Sequence, residues 1–328
     1  MTAKLHRRTL GAAALAGLAL PGSLRAQGSD WPNQPIRLIV PFAAGGPTDI
    51  PARLLAEKLS NQLPQRVIVE NRTGAGVIVG SEVVAKAPKD GYTLLYNTVA
   101  HSVLSALFAR LPFDPVVDFA PVALVGVIPL VITVNKDFPA TTLAELLAVL
   151  RANPNRYDYA SSGNGGALHL ATELLLKTAG VHANHVPYRG SSAAMPDVMS
   201  GRVPIIVDVA ASALPYIDRG ELRGIAVMSD SRMPQIPNVP TTAEAGMPGL
   251  TASTWHMILA PAGTPETVIT RINAAVNKTL ATPEVEGRLT ELAMQVNTTS
   301  TPESAKAWLA EETEKWSRII READIKVN

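Results

Sequence analysis

Ile36-Arg37-Leu38-Ile39-Val40-Pro41-Phe42-Ala43-Ala44-Gly45-Gly46-Pro47-Thr48-Asp49 is the stretch whose reading decides the fold. Its first five residues, short and rich in β-branched and apolar side chains, make a strand. A turn of small residues follows. Ile50, Leu54, Leu55 and Leu59 then recur at helical spacing, and Pro51 falls in the first turn, where no intrahelical N–H is lost. A strand, a small-residue turn and a helix in succession form the building unit of an α/β protein. Small residues let the backbone approach a ligand closely. The helix start presents unpaired N–H groups and the positive end of the helix dipole, which suits an anion. The same pattern fits equally a tight turn with Thr48 or Asp49 as helix cap.

Working outward, Val67-Ile68-Val69 and Thr93-Leu94-Leu95-Tyr96 read as further strands, and this rhythm implies a parallel sheet covered on both faces. A second unit starts after Leu130-Val131-Ile132-Thr133-Val134. Thr142-x-x-Glu145 is a capping box for a helix through Leu150. The strand Tyr157-Asp158-Tyr159-Ala160 is followed by Ser161-Ser162-Gly163-Asn164-Gly165-Gly166 and a helix over residues 168–177. Residues 203–207 and 224–228 read as two more strands. The second loop repeats the construction of the first, with two hydroxyls, an amide and three glycines. Two such loops, one per unit, are expected to face a common crevice at the carboxyl ends of the strands. The last third reads as helical. Thr264-Pro265, Thr282-Pro283 and Thr301-Pro302 each place a capping Thr before a Pro. Val268, Ile272, Val276 and Leu280 form one stripe. Trp308, Leu309, Trp316, Ile319 and Ile320 form another, its tryptophans read as core.

Residues 1–26 read as a cleavable export signal. Lys4, Arg7 and Arg8 precede an apolar run over residues 10–20, too short to span a bilayer, and Ala26 offers a small residue at the cut. The paired arginines leave Sec and twin-arginine export both open. The chain has 328 residues, with 29 Lys and Arg against 28 Asp and Glu. Four of those cations, Lys4, Arg7, Arg8 and Arg25, lie in the leader, so the mature chain carries a formal charge of about −3 and no nucleic-acid partner is expected. There is no cysteine, which removes thiol nucleophiles, thiolate metal sites and redox pairs. A mature chain of about 300 residues buries roughly three quarters of its unfolded surface and needs no disulfide staples.

Two enzymatic readings compete with a binding protein. Gly74-Ala75-Gly76-Val77-Ile78-Val79-Gly80 is similar to a dinucleotide fingerprint, the basis for an NAD-dependent oxidoreductase. Against it, Glu70-Asn71-Arg72-Thr73 separates the preceding strand from the first glycine, and the next strand closes on Tyr96-Asn97 with no acid for a ribose. The alternative is a structural turn. A hydrolase would use Ser161 or Ser162 with His169, but neither base nor oxyanion donors are fixed by the sequence. His182 and His185 lack the further ligands a zinc site needs. Asp208 closes the strand over residues 203–207. It either meets a ligand ammonium or hydroxyl or fixes nearby backbone N–H groups, and the backbone role is the expected one.

Several segments in order carry a family resemblance: Trp31-Pro32, Pro35-Ile36, Pro41-Phe42-x-Ala44-Gly45-Gly46-x-Thr48-Asp49, Glu70-Asn71-Arg72, Asp90-Gly91-Tyr92-Thr93-Leu94, Tyr159-Ala160-Ser161, His185-Val186-Pro187-Tyr188, Pro240-Thr241-x-x-Glu244-Ala245-Gly246 and Ala260-Pro261-Ala262-Gly263-Thr264-Pro265. The chain resembles the Bug-type periplasmic receptors of tripartite tricarboxylate transporters. The resemblance implies an α/β, two-lobed periplasmic-binding-protein-like fold with two crossing segments and a ligand cleft between the lobes. It puts lobe 1 at residues 27–131 plus 254–328 and lobe 2 at 132–253, with the C-terminal helices packed back on lobe 1. It implies no enzyme and no cofactor. The expected ligand is a small carboxylate: an organic acid, amino acid or aromatic acid. The expected partners are membrane permease subunits or a sensor kinase, and the expected state is a monomer. Phe42, Ala43, Ala44, Gly46 and Thr48 are expected to form the first-lobe cradle, and Ser161, Ser162, Asn164 and Asp208 to come from the second. Asn97 and Thr98, at the edge of the cleft, and His169, just past the second loop, complete the expected set. Asn97-Thr98-Val99-Ala100-His101-Ser102 departs from the family, which often has Asn-Pro there.

Overall fold

The computed structural model describes residues 31–74 and 76–326, so the expected leader lies outside the described residues. The first half opens with β1 (Ile36–Val40), α1 (Asp49–Leu59), β2 (Val67–Asn71), α2 (Ile78–Ala85) and β3 (Thr93–Thr98). β1 lies between β2 and β3 and is parallel to both. A 3₁₀ turn over Val99–His101 and the short α3 (Leu104–Leu107) lead into β4 (Phe119–Asn135). The second half continues with α4 (Leu143–Ala152), β5 (Asp158–Ser161), α5 (Ala167–Ala179), β6 (Asn184–Pro187), α6 (Ser191–Met199), β7 (Ile205–Val209), α7 (Ala210–Asp218) and β8 (Leu222–Val227). β5 is parallel to β6 and β7. The chain then returns through β9 (Ser253–Pro261) to α8 (Glu266–Leu280), α9 (Pro283–Glu291), β10 (Gln295–Val296) and α10 (Pro302–Glu322).

The sheet runs β2-β1-β3-β9-β4-β7-β5-β6, with β8 and β10 also paired to β4. It is therefore parallel at its two ends, as the rhythm of the first unit implied, and antiparallel in the middle, which the sequence did not show. The cause is β4 and β9, which pair antiparallel with each other and with β7 and β3 respectively. β4 is 17 residues long, and only its last part was readable as a strand. Pro121, Gly126 and Pro129 interrupt its first part, and the register with β9 slips between Pro121 and Ala123 and again between Leu124 and Gly126. Such bulges bend a strand without ending it. A Cβ on Gly126 would stand 2.6 Å from the Gln295 carbonyl oxygen, so glycine lets β10 close on β4 at this slip.

Local physics sets the remaining elements. Ile36, Leu38, Ile39, Leu95, Ile206 and Val207 are completely or almost completely buried, as strands covered on both faces require. In α1 the buried stripe is Ala52, Leu55, Ala56 and Leu59, while Ile50, expected on that stripe, is exposed in the first turn. The Thr142–Glu145 capping box forms. Of the three expected Thr caps only Thr301 accepts a backbone N–H, that of Ser304. The hydroxyls of Thr264 and Thr282 instead donate to the carbonyls of Pro261 and Thr279. α10 packs on β4 and touches α3 and α8 as well as α5 of the second half. Its Trp316 is buried and shares the Glu312 carboxylate with Trp255 of β9, at 2.8 and 3.1 Å. Among the described residues no helix is long and apolar enough to cross a membrane.

Candidate functional site

The first loop is held from behind by one carboxylate. Asp49, 1% exposed, accepts the Gly45 N–H at 2.8 Å, Arg53 Nε at 2.7 Å and Asn71 Nδ2 at 2.7 Å. Asn71 also donates to the Phe42 carbonyl at 3.0 Å, tying the end of β2 to the loop. Burial alone would raise the Asp49 pKa, but the bonds from Arg53, Asn71 and Gly45 outweigh it and lower it. Thr48 is the N-cap of α1 and makes no side-chain cap bond. The loop's own bonds use the Gly45 N–H and the Gly46 N–H, which donates to the Ala43 carbonyl at 3.3 Å. The N–H groups of Ala43, Ala44 and Thr48 have no intramolecular acceptor among the described residues.

The second loop rests on a stack of rings. His169 and His185 lie parallel at 3.8 Å, and Tyr159 stacks on His185 at 5.0 Å. His169 Nδ1 accepts the Gly165 N–H at 3.0 Å. Ser161 Oγ lies 2.6 Å from His185 Nε2 and accepts the Gly163 N–H at 3.1 Å. Burial lowers the pKa of His169 to about 4, helped by the neighbouring His185, and burial lowers that of His185 too. Both imidazoles are neutral at pH 7 and act as loop supports.

A cavity of about 740 Å³ separates the two loops. Of the residues singled out from the sequence, Phe42, Ala43, Gly46, Thr48, Thr98, Ser162, Asn164 and Asp208 line it. The other four do not. The Ala44 side chain is exposed and does not line the cavity. Asn97 is buried against Ser81 and His101. Ser161 and His169 sit beneath the second loop in the stack just described. Asp208 lies within β7, two residues further along than the sequence strand implied, and is paired with Val131. Its carboxylate accepts the Ser191 hydroxyl and, at 2.8 Å, the Val209 N–H. Burial pushes its pKa up to about 6 against those two bonds. It thus holds one backbone N–H and one side-chain hydroxyl while bordering the cavity.

Sequence reasoning missed two parts of the wall. One is apolar: Val99, Val103, Leu104, Leu107 and Phe108, from the 3₁₀ turn and α3. The other is the starts of α2, α6 and α7, which join the α1 and α5 starts that the sequence did show. Thr48, Val77, Gly166 and Val209 are the N-caps of α1, α2, α5 and α7, and Ser191 is the first residue of α6; all five line the cavity. None of these five helices has a side-chain cap bond; nor do α8 and α9, away from the cavity, while α4 and α10 carry capping boxes. Gly190-Ser191-Ser192, a glycine and two hydroxyls before a helix, was the signal that could have revealed α6. Among the described residues no Lys, Arg or His lines the cavity, and Asp208 is its one ionisable group.

This arrangement has relatives. The model of the tripartite tricarboxylate transporter family receptor matches residues 51–325. The chain belongs to that receptor family. The protein BugT of Bordetella pertussis is 36% identical over 317 residues, covering 96% of this chain and 95% of its own. An R. palustris protein solved with adipate is 32% identical with a TM-score of 0.76, over 91% of this chain and all of that one. MatC from Rhodopseudomonas palustris with bound malate is also 32% identical, with a TM-score of 0.73, over 88% of this chain and all of that one. The fold is thus the two-lobed one of periplasmic binding proteins, and the protein is a receptor, not an enzyme. The oxidoreductase reading has no support. Gly80, the last glycine of its fingerprint, serves close packing, since a Cβ there would stand 2.7 Å from the Arg72 carbonyl oxygen and 2.8 Å from Pro41. The hydrolase reading fails on geometry, because Ser161 is fully buried and bonded to His185, and Ser162, which lines the cavity, has no bond among the described residues to His169, whose Nδ1 accepts the Gly165 N–H.

The buried histidines set a pH dependence. Burial lowers the pKa of His101 to about 4 and of His256 to about 3, alongside His169 and His185. The unfolded chain, with His near 6.5, therefore takes up protons before the folded one as pH falls. Their contribution is complete above pH 6.5 and is lost between 6.5 and about 3. Asp208 works in the opposite sense, since its raised pKa favours the folded state on acidification, but it is one group against four. The melting temperature of the receptor is expected to fall steadily from pH 7 to pH 4.5. His169→Asn, which keeps an acceptor for the Gly165 N–H, should fall less. A flat melting profile over that range contradicts the assignment.

Proposed function

We propose that the receptor captures a small carboxylate, an organic, amino or aromatic acid, in the cavity between its two loops and passes it on to membrane permease subunits or a sensor kinase. One observation carries this reading: five uncapped helix N-termini line a cavity that no cationic side chain of the described residues enters. Each helix end contributes roughly 0.3–1 kcal/mol toward an anion. Hydrogen bonds to a charged acceptor are about twice as strong as neutral ones, and supply the rest. The adipate-bound and malate-bound relatives support the same ligand chemistry.

In this reading Ala43, Ala44 and Thr48 supply backbone donors from the first loop, Gly46 gives the ligand room, and Phe42 and Thr98 flank it. Ser162 and Asn164 close from the second loop, while Asn97, Ser161 and His169 hold the walls in place. The lobes divide as residues 27–131 plus 254–328 against 132–253 and close on the ligand in the manner of a hinge. The receptor works in the periplasm as a monomer after residues 1–26 are cleaved, so N-terminal sequencing of the periplasmic protein should begin at Gln27. A periplasmic species that retains Met1 contradicts this.

Calorimetric titration with carboxylates tests the site itself. Ser162→Ala should weaken binding by roughly 1–3 kcal/mol through the lost hydroxyl contact. Arg189 is exposed and does not line the cavity, so Arg189→Gln should change affinity little. Abolition of binding by the Arg189 change, with no effect of Ser162→Ala, contradicts a site built on helix ends and hydroxyls.

A further inference from the structure

We infer that the ligand of this receptor is a monocarboxylate with an uncharged, apolar body, an aromatic or medium-chain aliphatic acid, and neither a dicarboxylate nor an amino acid. The inference rests on carboxylate capture in the cavity and adds the class of acid. It follows from what the cavity offers at each end. One part of the lining is polar backbone and hydroxyls at helix starts. The other is Val99, Val103, Leu104, Leu107 and Phe108, joined by Leu168 of α5.

The apolar wall has one donor to spare, the Thr98 hydroxyl. Ser102 is buried and gives its hydroxyl to the Val99 carbonyl at 2.8 Å. Thr98 accepts the Ala100 N–H at 3.4 Å. His101 is turned away from the cavity, with Nε2 on the Pro115 carbonyl at 2.8 Å and its ring edge-on to Phe119. A second ligand carboxylate placed here would lose its water and gain one hydroxyl at most, which is costly for any ion. Placed toward Asp208 instead, it would meet a like charge.

Asp208 is also a poor ammonium receptor. It is completely buried, one carboxylate oxygen accepts the Ser191 hydroxyl, and the other accepts the Val209 N–H. A ligand amine would have to share those oxygens with the Ser191 hydroxyl and the Val209 N–H, at a carboxylate with no exposed surface, so an amino acid buries its ammonium poorly compensated. An uncharged ring or alkyl chain against the apolar wall meets none of these costs and gains from leaving water.

Calorimetric titration of the mature receptor with phenylacetate, hexanoate, malate, adipate and phenylalanine at pH 7.5 decides the point. Phenylacetate or hexanoate should bind at least about tenfold tighter than malate and adipate, and phenylacetate tighter than phenylalanine. Leu107→Ser should weaken phenylacetate by about tenfold and leave malate within about twofold. Asp208→Asn should narrow the gap between adipate and phenylacetate. Malate or adipate binding as tightly as the monocarboxylates, or phenylalanine binding tighter than phenylacetate, overturns the inference and leaves carboxylate capture standing. If none of the five acids binds, both fall together.

Discussion

The antiparallel pairing of β4 with β9 is the constraint on which the rest of the molecule depends. It is the only seam at which two parallel half-sheets are joined among the described residues, with β3 on one side and β7 on the other. Parallel strands aim their carboxyl ends, and so the helix starts that follow them, in one direction. Joining the two half-sheets through antiparallel strands brings the loops after β1, β3, β5 and β7 to one cavity. The bulges at residues 121–126 let one continuous strand serve both halves. Trp255 of β9, bonded to Glu312 of α10, anchors the C-terminal helix to the same seam.

An anion site without a cation needs many weak, fixed donors, and the loops are organised to fix them. Asp49 takes the Gly45 N–H away from any ligand but thereby holds the whole turn. His169 does the same with the Gly165 N–H in the second loop. Both loops thus give up a glycine donor to keep the neighbouring donors in place. Preorganised donors lose little entropy on binding, which lets modest individual interactions sum usefully. Asp208 works against an anion, and its Ser191 and Val209 partners limit that effect by occupying its oxygens.

The loops after β1 and β5 were legible because glycines and hydroxyls sit between a β-branched run and a helical stripe, a local pattern that tertiary structure did not override. The class, α/β with two units, followed from their recurrence. The first part of β4 was hidden because Pro121, Gly126 and Pro129 break the strand signal, and only pairing with β9 restores it. The starts of α6 and α7 were hidden because Pro196 and Pro215 lie inside those helices and obscure their periodicity. Asn97, Ser161 and His169 were picked for their chemistry and neighbourhood, yet their partners Ser81 and His185 come from elsewhere in the chain. Such contacts leave no trace in local spacing. The apolar wall of α3 was missed for a simpler reason: a four-residue helix is too short to show a stripe.

The account stands on a carboxylate held by backbone and hydroxyl donors at helix starts, and a crystal structure of the receptor with a bound carboxylate tests that most directly. The ligand oxygens should lie about 2.7–3.2 Å from N–H groups of the first loop and of the α5 start, or from the Ser162 hydroxyl, with no Lys or Arg nitrogen within about 4 Å. A ligand carboxylate paired with a lysine or arginine, or seated outside the cavity between the loops, would contradict it.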